Sequence, residues 1–330
     1  RAFGSDPDCL GIILVTDLPK EYPFLRERLL RLAYKFAQLG EATREKYSDP
    51  SSRYSFGWSH GKEIMNGSPA DLLKGSYYAN ISVSEDLPSV SSELCESYKE
   101  YYGANVWPSN DEKGIEGFEQ AFKALGSFVF KVGCELAAAC QPFVSAHMRD
   151  VSISLQDMIS TSRTTKARLL HYFPSSPSPS VSLTDEDDEP IDSWCGFHKD
   201  HSLLTGLCSA MYLSLPRTAS PEVEPTIGAP PSPSSGLYIR TRGGSLRRVA
   251  IPANALAFQT GEALELATEG RLRATPHCVR VGRGGGNPAN VVSRETFALF
   301  MQPDTHQAIS ASETFGDFSK RIFEEHYEEM

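Results

Sequence analysis

Apolar residues recur along this chain with two different spacings, and the change falls near residue 165. Before that point they return every three or four residues in two segments, which predicts amphipathic helices over 21–39 and 114–147. A short apolar run over 10–16 predicts a buried strand ahead of the first helix. Residues 41–86 are rich in Gly, Ser and Tyr, and we expect the stretch GWSHGKEIMNGSP at 57–69 to form a loop.

Beyond residue 165 the chain breaks into short strand-like segments separated by Gly and Pro. Strands at such regular, short intervals are typical of an all-β barrel or double-sheet roll. The expected fold class is therefore mainly β with flanking helices. We expect an N-terminal helical and irregular region over 1–150 that packs on the barrel, a barrel core over 151–312 and a C-terminal helix over 313–330.

Three stretches of biased composition interrupt this pattern. Residues 174–190 and 216–236 are rich in Pro and Ser, which predicts flexible loops between strands. Residues 282–290 are Gly-rich, but they lack the Gly-Lys-Ser/Thr ending of a phosphate-binding loop. We therefore expect no phosphate site there.

Composition narrows the classes of function. The net charge of −10 argues against nucleic-acid binding, which needs clustered Lys and Arg. Seven cysteines without a Cys-x-x-Cys pair indicate reduced thiols, and no apolar run is long enough to predict a transmembrane helix. We expect a cytoplasmic monomer with a small-molecule substrate. The abrupt start at Arg1 leaves a trimmed N-terminus and an organellar location open.

The stretch WCGFHKDHSLL, residues 194–204, carries the candidate chemistry. On a strand, His198 and Asp200 would point to the same face, because side chains alternate with a period of two. A further His from a neighbouring strand would complete two imidazoles and one carboxylate, the ligand set of non-haem Fe(II) oxygenases. Of the chain's eight His, His277 is best placed, in a strand-like segment, whereas His201 would face away.

An anion site is predicted further along the chain. Arg294 and Thr296 would share one face of a strand and offer a carboxylate a positive charge and a hydroxyl donor.

This order of motifs resembles the 2-oxoglutarate- and Fe(II)-dependent dioxygenases, in particular those similar to isopenicillin N synthase. The resemblance rests on His198-x-Asp200, His277 and Arg294-x-Thr296, with Pro303 at the expected offset. Weaker matches extend it to about residues 10–310: GIILVTDLP at 11–19, NVWPS at 105–109 and RLLHYFP at 168–174.

The resemblance implies a double-stranded β-helix, or jelly roll, and an oxidoreductase. It implies that His198, Asp200 and His277 hold Fe(II), and that Arg294, Thr296 and Tyr172 bind 2-oxoglutarate as cosubstrate with O2. The implied reaction hydroxylates, desaturates or demethylates a small organic molecule, with succinate and CO2 as coproducts.

Some features depart from the family pattern and leave alternatives open. Phe173 stands where the family often has a hydroxyl, and residues 216–236 and 282–290 lengthen the gaps between the motifs. An Fe(II) oxidase of the isopenicillin N synthase type, without 2-oxoglutarate, and a non-catalytic jelly-roll binding module are the alternatives. Trp58 and His60, by position, and Phe173 are the candidate substrate contacts.

Overall fold

The computed structural model describes residues 2–62, 72–81, 90–148, 151–174, 193–220, 223–281 and 289–327. Apart from its first residue, the predicted loop over 174–190 lies outside these ranges, as does most of the Gly-rich stretch over 282–290.

The described chain has eight helices, six of them before residue 165. They are α1 (Tyr22–Ala37), α2 (Glu41–Glu45), α3 (Ser92–Ser97), α4 (Lys99–Tyr102), α5 (Phe118–Val144), α6 (Leu155–Ser160), α7 (Glu262–Ala267) and α8 (Phe315–Tyr327), with a 3-10 turn at Pro50–Ser52. The two predicted amphipathic helices correspond to α1 and α5, and the predicted C-terminal helix corresponds to α8.

Strands supply the second half and three elements of the first. They are β1 (Ile12–Val15), β2 (Gly57–His60), β3 (Lys74–Asn80), β4 (Lys166–Tyr172), β5 (Ser193–His198), β6 (Leu204–Cys208), β7 (Met211–Pro216), β8 (Thr226–Ile227), β9 (Gly236–Arg240), β10 (Leu246–Val249), β11 (Leu256–Thr260), β12 (His277–Arg280) and β13 (Asn290–Met301).

These strands form two antiparallel sheets. The larger runs β1-β11-β6-β13-β4-β3-β2, with β7 and β8 joined at the start of β13, and the smaller runs β10-β9-β12-β5. The long strand β13 binds β4 along one edge and β7 followed by β6 along the other. A mainly β architecture with flanking helices is therefore confirmed.

Two apolar layers hold the molecule together. One lies between the helices and the larger sheet and includes Phe122 and Phe297, whose ring centres are 5.4 Å apart. In this layer α5 approaches the sheet closely: a Cβ on Gly133 would come within 2.4 Å of the Met301 sulfur. The second layer lies on the other face and includes Trp194 and Val279 of the smaller sheet with Leu170 and Tyr172 of β4. The site described below lies in this second layer.

The prediction of a loop over 57–69 was wrong for its first residues, Gly57–His60, which form β2, and residues 63–69 lie outside the described ranges. Strands β2 and β3 pair with each other, and β3 continues the larger sheet beside β4. The segment KGSYYAN has no clear strand alternation of its own, and it forms a strand because of that pairing, since strand preference depends on neighbouring strands. Segment 256–267 also differs from the prediction: β11 ends at Thr260 and α7 follows, since Gly261 precedes the strong helix formers of EALELA.

The proposed partition at residue 150 stays a prediction. Residues before it contribute β1, β2 and β3 to the larger sheet as well as helices.

All seven cysteines are free thiols. In the part of the chain that the structure describes, none of the helices has both the length and the apolar character needed to span a bilayer.

Candidate metal centre and two adjoining cavities

Three side chains that are far apart in sequence meet where β5 ends and β12 begins. His198 is the last residue of β5, His277 is the first of β12, and the two are direct register partners in the smaller sheet. Asp200 follows two residues after β5, so it lies in the turn and not on the strand that the sequence argument assumed. The turn still directs its carboxylate towards both imidazoles.

The distances within this group suit a single bound cation. Asp200 Oδ1 lies 3.9 Å from His198 Nε2 and 3.6 Å from His277 Nε2. Ligand atoms of all three residues lie within 4.8 Å of one another, and this is the one such group found among the described residues. Atoms bound to the same ion at about 2 Å are separated by about 3 to 4 Å, so the group fits a metal with little movement.

Backbone carbonyls orient both imidazoles. His198 Nδ1 lies 2.9 Å from the carbonyl oxygen of Gly196, and His277 Nδ1 lies 3.0 Å from that of Thr275. A proton on Nδ1 donates to the carbonyl and leaves the Nε2 lone pair directed at the shared site. Metal-bound histidines are typically held by a hydrogen bond of this kind.

Gln259 of β11 supports the carboxylate. Its Nε2 donates to Asp200 Oδ2 over 2.6 Å, while Oδ1 is left facing the two imidazoles. Gln259 is fully buried, and its Oε1 has no hydrogen-bond partner among the described residues. Sequence reasoning missed this residue, although a lone polar side chain in the apolar strand LAFQT is a signal for it.

The charge states of the group suit a cation. Burial lowers the pKa of His277 to about 4, against the attraction of Asp200. Burial would raise the pKa of Asp200, but the two imidazoles and its hydrogen bonds outweigh that effect and lower the pKa. Burial would lower the pKa of His198, but Cys195 and Asp200 raise it to about 9, so a cation must displace a proton there.

A cavity of about 240 Å³ opens on one side of the group. His198, Asp200 and His277 line it, and Arg294 lies in its wall. Arg294 is 5% exposed, and its Nε and Nη1 have no hydrogen-bond partner among the described residues. A buried guanidinium without such partners is costly, so this cavity suits an anionic group.

Thr296 and Tyr172 lie in the wall of the same cavity. Tyr172 is the register partner of Arg294, whose guanidinium carbon is 4.8 Å from the ring centre. The Thr296 hydroxyl donates to the carbonyl oxygen of Cys208 over 3.2 Å, and its lone pairs remain available. The structure therefore brings all three predicted anion-binding residues to one cavity that also reaches the metal group.

A second cavity of about 410 Å³ lies on the other side of His198 and Asp200. It shares Arg168, Cys195 and Phe300 with the first cavity. Sequence reasoning missed Arg168 and Lys166, whose side chains line this space. The signal was the alternation in KARLLHY, where Lys166, Arg168, Leu170 and Tyr172 share a face.

The three candidate substrate residues lie elsewhere. Trp58, Phe173 and His60 are not among the residues that line either cavity. Trp58 is 3% exposed, and its ring centre is 5.2 Å from that of Phe36. His60 packs against Phe173 with ring centres 4.8 Å apart, and His60 Nε2 lies 2.9 Å from the carbonyl oxygen of Leu72. These contacts give the three residues a role in packing.

Known proteins share this architecture. No family model matches the chain. A curated relative, "Probable iron/ascorbate oxidoreductase" of Dictyostelium discoideum, is 23% identical over 295 residues, covering 85% of this chain and 69% of the relative. A Caulobacter crescentus structure assigned to the 2OG-Fe(II) oxygenase family superposes with a TM-score of 0.64 at 16% identity, covering 98% of this chain and 92% of that one.

A further solved structure points the same way. A full-length Neurospora crassa protein in complex with alpha-KG superposes with a TM-score of 0.60 at 17% identity, covering 95% of this chain and 82% of that one. These structures show that the chain shares the fold of 2-oxoglutarate- and Fe(II)-dependent oxygenases, so the resemblance is confirmed at the level of the fold. The expectations of an oxidoreductase, of Fe(II), of 2-oxoglutarate and of O2 agree with these relatives.

Proposed function

We propose that this protein is a non-haem Fe(II)- and 2-oxoglutarate-dependent dioxygenase that oxidises a small organic molecule. The observation that carries the proposal is the convergence of His198, Asp200 and His277 on the wall of a cavity that also holds Arg294. Two imidazoles and a carboxylate leave positions open for exogenous ligands.

Each residue has a defined part in this proposal. His198, Asp200 and His277 would hold Fe(II), and Gln259 would keep the carboxylate of Asp200 in place. Arg294 would form a charged pair with the distal carboxylate of 2-oxoglutarate, and Tyr172 would hold the guanidinium from behind. Thr296 would become a second donor if its hydroxyl turned from the Cys208 carbonyl towards the carboxylate.

The bound metal, with 2-oxoglutarate and O2, would supply the oxidising chemistry and yield succinate and CO2 beside the oxidised product. The chain supplies position and surroundings. The apolar layer between the sheets includes Leu170 and Val279, which line the first cavity, and the second cavity would hold the substrate beside the metal. We also propose that the two sheets form the double-stranded β-helix of the superfamily, since β5 and β12 carry the histidines on the smaller sheet and β13 carries the arginine on the larger one.

An anaerobic titration tests this function. Addition of Fe(II) and then 2-oxoglutarate to the protein should give a weak visible charge-transfer band, and air should then give succinate even without substrate. Asp200→Ala should abolish the band, whereas Asp111→Ala, at an exposed site outside both cavities, should leave it unchanged. A protein that binds Fe(II) but gives neither the band nor succinate would favour the oxidase that does not use 2-oxoglutarate. A protein that retains no Fe(II) would favour a binding module.

A further inference from the structure

The side chains that line the second cavity carry more positive than negative charges. On β4, Lys166, Arg168, Leu170 and Tyr172 face the cavities, because side chains alternate along a strand. Leu170 and Tyr172 line the first cavity, Lys166 lines the second, and Arg168 lines both. Strand β4 therefore lines the proposed 2-oxoglutarate site at one end and contributes Lys166 and Arg168 to the second cavity at the other.

Cations outnumber carboxylates around the second cavity. Among the described residues that line it, the cations are Arg53, Lys74, Lys166, Arg168 and Lys199, and the carboxylates are Asp200 and Glu262. Asp200 belongs to the metal group. Glu262 is 2.9 Å from His201 and 3.7 Å from Lys199, so its charge and that of Lys199 offset each other. Arg53 is likewise paired with Glu100 over 3.5 Å.

Lys166 is one of two buried lysines among these cations, the other being Lys74. Lys166 is 7% exposed, its ammonium donates to the backbone carbonyl of Glu100, and it lies 4.3 Å from the ring centre of Phe56 and 5.2 Å from that of Tyr101. Burial lowers its pKa to about 7, against the attraction of Glu100. An ammonium in these surroundings would be stabilised by an anion in the cavity.

Arg168 stands at the junction of the two cavities. Its Nε donates to the Ser76 hydroxyl over 2.9 Å, and its guanidinium carbon lies 4.8 Å from the ring centre of Tyr78. The register partner of Arg168 on β13 is Ala298, whose side chain is short. Arg168 and His198 both line the second cavity, so a molecule bound there can lie beside the guanidinium.

A second polar group in the wall points to a ligand. Gln302 is 8% exposed and lines the same cavity. Its Oε1 has no hydrogen-bond partner among the described residues. A buried amide oxygen without a partner costs free energy, which a donor on a bound molecule would recover.

The rest of the wall suits an apolar body. Aromatic side chains contribute much of it: Tyr54, Tyr78, Tyr101, Phe197, Phe300 and Phe323. The volume of about 410 Å³ lies in the range of small-molecule sites.

We infer, on the basis of the proposed oxygenase function, that the substrate is an organic anion whose apolar body lies among these rings and whose charged group meets Lys166 and Arg168. The anion can be a carboxylate or a phosphate, because both accept hydrogen bonds from ammonium and guanidinium groups.

Calorimetry with shape-matched probes tests the inference. The probes are 3-phenylpropanoate, 3-phenylpropanamide and phenyl phosphate, each titrated into anaerobic protein loaded with Fe(II) and 2-oxoglutarate. At least one anion should bind about tenfold or more tightly than the amide, since the amide lacks the charge. The anion that binds more tightly shows whether the charged group of the substrate is a carboxylate or a phosphate.

Two variants show which side chains bind the charged group of the probe. Lys166→Met and Arg168→Met each remove a cation but keep an apolar stem of similar length. At least one should lose about tenfold or more in anion affinity while amide affinity is unchanged. In Lys166→Met the 2-oxoglutarate affinity should also be unchanged, because Lys166 lines the second cavity and not the first. Lys131→Met, at an exposed site on α5, is the matched control and should behave as wild type.

The outcomes separate this inference from the function on which it rests. If the loaded protein binds the amide as well as both anions, or binds none of the three, the inference is overturned and the oxygenase function stands. The same holds if both variants keep wild-type anion affinity. If the wild-type protein does not take up Fe(II) and 2-oxoglutarate, the proposed function fails instead.

Discussion

Arg294 and Tyr172 face each other across the β13–β4 pair, with the guanidinium carbon 4.8 Å from the centre of the ring. The ring holds the guanidinium from one side, and two of its nitrogens remain without hydrogen-bond partners among the described residues. This pair fixes where an anion can bind in the first cavity.

Removal of the guanidinium should weaken 2-oxoglutarate binding. We expect Arg294→Met to raise the dissociation constant about 100-fold, because a charged pair in a buried site is lost. Anaerobic titration of the charge-transfer band measures it. Arg247→Met, at an exposed position of β10, is the control and should leave the constant unchanged. An unchanged constant in Arg294→Met would remove this residue from the cosubstrate site.

Gln259 should act on metal affinity through Asp200. Gln259→Leu removes the 2.6 Å hydrogen bond to Asp200 Oδ2, and we expect metal affinity to fall about 10- to 100-fold. Anaerobic competition between the protein and a chromophoric chelator measures this. Gln38→Leu, at an exposed site after α1, is the matched control. Equal affinity in Gln259→Leu and the wild type would show that the hydrogen bond has no part in holding the ligand.

Lys166 should make stability depend on pH. Its pKa is about 7 in the folded protein and 10.5 as the ordinary value, so between these values the unfolded chain binds a proton that the folded chain does not. Stability should therefore rise with pH over this window, by at most about 1.4 kcal/mol per pH unit. Lys166→Met lacks this pH dependence. The free energy of unfolding of the variant should therefore exceed that of the wild type most near pH 7, and the difference should shrink towards pH 9.

Urea unfolding at about pH 7, 8 and 9 measures this dependence. Lys131→Met should keep the wild-type slope, because that side chain is exposed. Parallel stability profiles for the wild type and Lys166→Met would mean that Lys166 keeps its proton in the folded protein.

A buried pair beneath the anion site should stabilise β4 and β13. His171 Nδ1 lies 2.9 Å from Glu295 Oε2, and the Ser293 hydroxyl donates to Glu295 Oε1 over 2.7 Å. Both residues of the pair are almost fully buried. We expect Glu295→Leu or His171→Leu alone to cost about 3 kcal/mol, since each leaves a buried polar partner, and the double variant to cost less than the two changes added together. Additive costs in urea unfolding would show that the two side chains are independent.

Much of the metal group could be predicted because its signals are local. His198 and Asp200 are two residues apart, and His277 begins a short strand with alternating Val residues. The convergence in space could not be derived from the residues alone, because it depends on the pairing of β5 with β12 across a long stretch of chain. The resemblance supplied that step.

The cations that β4 contributes to the second cavity could not be predicted for a different reason. Which face of β4 turns inward depends on its two neighbours, so Lys166 and Arg168 could equally have faced water. For Trp58 the prediction was the opposite, a position in a loop near the substrate. Trp58 lies on β2, and the core around Phe36 buries its ring.

The most direct test of the account is the stoichiometry of Fe(II) binding under anaerobic conditions in wild type, His277→Ala and the exposed control His306→Ala. The account predicts one tightly bound Fe(II) per chain in the wild type and the control, and loss of about 100-fold or more in affinity in His277→Ala. Binding of wild-type strength in His277→Ala would contradict it.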